Sequence, residues 1–133
     1  MSEEVRWSLS VQAVGGPKIA ASGTMAVNVY SKSQVVVPAH DSGTDGSLTV
    51  TVNTTGAELL LIVASQYVDA EDATKILQYN VNGGTDTDIT APLILLGAEA
   101  VKLLEDPVTS VKFTNPIEAK IDVDIFVGGD ATP

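Results

Sequence analysis

Apolar and polar residues alternate along most of this chain. A period of two is the mark of extended strands with one covered face and one wet face. Val5, Trp7, Leu9, Val11 and Ala13 alternate with Arg6, Ser8, Ser10 and Gln12. Met25, Val27 and Val29 alternate with Asn28 and Tyr30, and Leu48, Val50 and Val52 alternate with Thr49 and Thr51. The longest run sets Ile117, Ala119, Ile121, Val123, Ile125 and Val127 against Glu118, Lys120, Asp122 and Asp124. A helix would repeat its apolar residues every three to four positions, and no segment long enough for a crossover helix does so.

Turn formers punctuate these runs. Gly15-Gly16-Pro17 ends the first, and Pro38 stops Val35-Val36-Val37. Residues 39–46 are a polar loop. Glu58 to Ser65 reads as an apolar strand, predicted to be covered on both faces. Asp69 to Ala73 reads as a polar connection with room for one helical turn. Ile76 to Val81 leads into Asn82-Gly83-Gly84, a strong hairpin signal. Pro92 places Ile89 to Leu96 at an edge or a bulge. Gly97 to Glu105 fits a short helix as well as a strand. Val108 to Thr114 is a strand, closed by Asn115-Pro116. The pattern predicts an all-β, antiparallel, jelly-roll-like β-sandwich. It has eight or nine short strands and at most one short helix, and spans 1–133 as one domain. Its sheet edges need cover, and assembly with other subunits supplies it.

Seventeen acidic residues face seven basic ones, a formal charge of −10, and Arg6 is the only arginine. Affinity for phosphates needs Lys and Arg, so neither nucleic acid nor an anionic membrane is the expected partner. With no cysteine, disulfides and thiolate metal sites are excluded. The longest apolar run, Leu59 to Ala64, has strand length, so no helix is expected to span a bilayer. Met1-Ser2-Glu3-Glu4 lacks a basic or apolar leader pattern, which predicts folding in a cytoplasm.

Side chains able to carry chemistry are few. His40 is the only histidine and lies beside Asp41 in the polar loop, with no Gly-x-Ser-x-Gly element to provide a nucleophile. Asp122 and Asp124 sit two apart on a strand, so they project from one face about 6.5–7 Å apart. Glycoside hydrolysis uses paired carboxylates at such a range, yet alternating acids on a wet face also keep strands soluble. Asp69, Glu71 and Asp72, with Asp86 and Asp88, are the candidate calcium ligands, since calcium takes six to eight hard oxygens. They lack the spacing of an EF-hand loop. Trp7 shares its register with Val5 and Leu9 and is expected in the core.

The Ser/Thr/Val-rich alternating strands, the Asn82-Gly83-Gly84 hairpin, the turn Val111 to Pro116 and the terminal stretch Val127 to Pro133 go together. In this combination the chain resembles small β-sandwich virion proteins of tailed bacteriophages, those that decorate capsids or form fibre and tail parts. The resemblance implies homo-oligomeric assembly, often trimeric, and docking on a larger particle, hence association with the virion. It transfers no binding residue. The leading expectation is therefore a non-enzymatic assembly protein without a cofactor. The alternative is a lectin-like module that binds carbohydrate through Trp7 or Tyr30, Tyr67 and Tyr79, with calcium between its acidic loops. A hydrolase built on Asp122 and Asp124 ranks last.

Overall fold

A computed structural model describes residues 3–27 and 29–129 of the chain. It contains ten strands and one short helix, and every strand pair is antiparallel. The all-β, sandwich-like class read from the alternation holds. Two strands form an arm, β1 (Glu3–Gln12) and β2 (Lys18–Val27). The other eight form the body. They are β3 (Val29–Val37), β4 (Gly46–Thr51), β5 (Ala57–Ala64), β6 (Gln78–Val81), β7 (Thr87–Asp88), β8 (Leu93–Leu96), β9 (Ser110–Asn115) and β10 (Ile121–Gly129).

The body's pairing is nested. β3 pairs with β10, β4 with β9, β5 with β8 and β6 with β7. Two further pairings, β10 with β5 and β9 with β6, roll this ribbon into two four-stranded sheets. Sheet I has the order β3-β10-β5-β8, and sheet II the order β4-β9-β6-β7. Alternation then decides which side chains meet. Leu60 and Ile62 of β5 and Val123 and Ile125 of β10 turn into the core, where Val111 and Phe113 of β9 join them. All six are buried. Dropping such residues from water supplies about 1.5–3 kcal/mol each, the term that holds the layers together.

The turns follow their sequences. Asn82 and Gly83 both take positive φ, 54° and 74°, and the Gly84 amide donates to the Val81 carbonyl at 2.9 Å. This primed turn fits the right-handed twist of β6 and β7. Asn115 ties the end of β9 to the start of β10. Its buried amide donates to the carbonyls of Pro38 at 3.0 Å and Ala119 at 2.8 Å, and its oxygen accepts from the Ile117 amide at 2.9 Å.

Several expectations change. The final run is not one strand, since 116–120 form a loop and β10 starts at Ile121. Gly97 to Glu105 resolves into the helix α1 (Ala98–Lys102), which buries Val101 against the core. Asp69 to Ala73 is a loop without helix. Pro92 directly precedes β8, an edge strand. Glu58 to Ser65 is covered on both faces at Leu59 and Leu60, but the outer face opens at Val63. Trp7 and Leu9 do not enter the core; they lie on the arm. Asn28 and the tail beyond 129, part of the pattern behind the virion resemblance, lie outside the described residues.

Candidate interaction surface

The arm is a long hairpin, ten pairs running from Glu3 opposite Val27 to Gln12 opposite Lys18 without a slip. Its turn places Gly15 at φ 74°, where a type II turn requires glycine, and the Gly16 amide donates to the Ala13 carbonyl at 2.8 Å. Register gives the arm two unlike faces. One carries the pairs Val5/Met25, Trp7/Gly23, Leu9/Ala21 and Val11/Ile19. The other carries Glu4, Arg6, Ser8, Ser10 and Gln12, with Lys18, Ser22 and Thr24. Trp7 lies flat across the strand beside it. A Cβ on Gly23 would stand 3.0 Å from the indole, so the missing side chain there makes room for the ring.

The apolar face is covered at one end only. Val27 is buried above Gly128 of β10, and Val5, Trp7 and Met25 are half-buried. Beneath them the outer face of sheet I offers Leu59 and Leu61 of β5, Leu96 of β8 and Phe126 of β10. A groove of about 410 Å³ remains between arm and sheet. Phe126 is braced by Tyr30, ring centroids 5.9 Å apart and 12° from parallel. Further out the exposure climbs: Leu9 is 42% exposed, Val11 56% and Ile19 70%. A two-stranded hairpin is marginal in water on its own. Full burial of such a side chain is worth about 1.5–3 kcal/mol, and covering the part still bare supplies a fraction of that as a drive toward a partner.

The residues predicted to carry chemistry do not converge. The Glu71 amide donates to Asp69 Oδ1 at 2.8 Å, and both the Thr74 hydroxyl and the Thr74 amide donate to Asp72 Oδ1, at 2.6 and 3.0 Å. Those Thr74 bonds, the hydroxyl's first, hold the Asp72 carboxyl below the usual range, with a smaller push from Lys75. Asn80 donates to Asp86 at 2.8 Å and Gln78 to Asp88 at 3.1 Å. Among the described residues no three of His, Cys, Asp or Glu gather as a metal-holding group. His40 Nδ1 meets Asp45 Oδ1 at 2.6 Å within its own loop. Asp122 and Asp124 do share the outer face of β10, opposite Val36 and Gln34 of β3. Tyr67 and Tyr79 pack on the core, so the aromatics form no common platform.

A second recess lies where β3 and β4 part. Ser31 and Ser33 take inward positions that Val35 and Val37 fill further along β3. With Tyr30, Thr51, Asn53 and Thr55 they line a cleft of about 300 Å³. No helix among the described residues is long and apolar enough to cross a membrane. Comparison with family models, curated proteins and solved structures finds no match.

Proposed function

We propose that this chain is a non-enzymatic assembly subunit that works by self-association through its arm. The observation carrying the reading is the arm's apolar face, half-covered by its own body and bare beyond Leu9. Exposed apolar surface on a projecting hairpin marks a place of contact. The nested pairing of eight strands in two four-stranded sheets supports reading the body as a jelly roll, an architecture of capsid subunits and of lectins. With the resemblance to tailed-phage virion proteins, this favours a homo-oligomeric virion component, in a decoration, fibre or tail position. Acidic surface elsewhere keeps such a subunit soluble before assembly.

Light scattering after size exclusion tests this. The wild-type chain is expected to run as a defined oligomer. The variant Val11→Asp/Ile19→Asp is expected to run as a monomer with unchanged circular dichroism. A wild-type chain that stays monomeric at its highest attainable concentration would overturn the reading.

A second reading, a lectin-like module, is favoured by the cleft between β3 and β4. A tyrosine, hydroxyls and an amide around an apolar floor suit a sugar, which presents both C–H faces and hydroxyls. A glycan array run with and without calcium checks it, and no binding in either condition removes it.

A further inference from the structure

We propose that the bare half of the arm seats on the outer face of sheet I of a second copy of this chain, on the strip made by Leu61, Val63 and Ile94. This rests on the assembly reading and names its contact. In the single chain Val63 is 39% and Ile94 46% exposed; Leu61 and Ile94 border the groove beneath the chain's own arm, and Val63 lies beyond it. Lys32 and Asp124 flank it across a groove of about 350 Å³. Leu61 and Phe126 line both that groove and the one beneath the arm. The receiving strip therefore continues a surface that already accepts an arm.

The packing required is one this sequence makes within itself. Near its base, Val5, Trp7 and Leu9 of the arm face Leu59, Leu61 and Leu96 of the sheet. Val11 and Ile19 extend the same arm face, and Val63 extends the same strand face. The arm does not reach that extension in its own chain. Its covered part runs from Gly128 on β10 to Ile94 and Leu96 on the edge strand β8. The unslipped ladder then carries the tip onward.

Charge points to a copy of this chain as the occupant. The arm holds Glu3, Glu4, Arg6 and Lys18 and is net neutral, so the formal charge of −10 lies entirely outside it. An arm can thus approach an acidic body where two bodies repel.

The test mixes two variants. Val11→Asp/Ile19→Asp spoils the arm and keeps the strip, while Val63→Asp spoils the strip outside the chain's own groove and keeps the arm. Each alone is expected to be monomeric by light scattering, and an equimolar mixture is expected to recover a heteromeric complex. Should the aspartate unfold the body, seen by circular dichroism, Val63→Ser serves instead. It is expected to weaken association about tenfold, the scale of losing an interface anchor. If the strip variants assemble like wild type while the arm variant does not, the arm seats elsewhere: this contact is overturned and the assembly reading stands. A mixture that stays monomeric likewise overturns the contact. A monomeric wild type removes both.

Discussion

The arm and the body use the same local chemistry to opposite ends. In both, alternate residues face alternate sides, and in both the ladder is antiparallel. In the body the inner faces of the two sheets meet, so Phe113, Ile121 and Val123 are shut away from water. In the arm the pairing is longer than any in the body, yet no second layer covers its outer half. Backbone pairing alone therefore does not decide whether a strand belongs to a core. The second layer does.

Truncating the body should hurt most. Phe113→Ala is expected to cost about 3–5 kcal/mol, since it empties a closed site; urea unfolding measures it. A loss under about 1 kcal/mol would mean the body is packed no better than the arm. Next comes Asn115→Ala, which leaves the Pro38 and Ala119 carbonyls and the Ile117 amide without their partner. About 1–3 kcal/mol is expected, with faster hydrogen exchange at Ile117 as the local signature.

Trp7→Ala should fall lower, about 1–2 kcal/mol, because the residue is only half-buried and a fully buried tryptophan costs about 3–5. Its effect should be confined: amides of β1 and β2 exchange faster while β9 and β10 do not change. Equal acceleration in both regions would erase the distinction between them.

The smallest effect is electrostatic. The folded Asp72 pKa lies below its ordinary value, so the contribution of its Thr74 bonds is present above the usual carboxylate pKa of about 3.9 and fades as pH falls through the folded value. The Thr74 amide resonance should titrate with a midpoint under that ordinary value in wild type and not in Asp72→Asn. A midpoint at or above it would contradict the bonding described.

The strands could be read from residues because alternation is local. Leu48-Thr49-Val50-Thr51 and Asn82-Gly83 carry their conformations in their own side chains. Pairing order could not, since it joins Val37 to Ile121 and Gly46 to Asn115 across most of the chain. The arm was hidden for a different reason. Val5-Trp7-Leu9 alternates like Val123-Ile125-Val127, and nothing in either run tells which has a lid. The return strand, Ile19-Ala20-Ala21-Ser22-Gly23, offers small side chains and a weak apolar signal. The clue lay in Gly15-Gly16, placed midway between two stretches of matching length. The recess at Ser31 and Ser33 is legible only once those serines are known to face inward.

Nesting also sets an order of events. β1 finds its mate within 25 residues, from Glu3 to Val27, so the arm can close as soon as that stretch exists. β3 must wait for β10, and long-range closure of this kind slows folding. During synthesis the residues of the hairpin are complete before those of the domain it belongs to. The net acidic charge arrives only with the later segments, so it limits contact between chains whose bodies are already made.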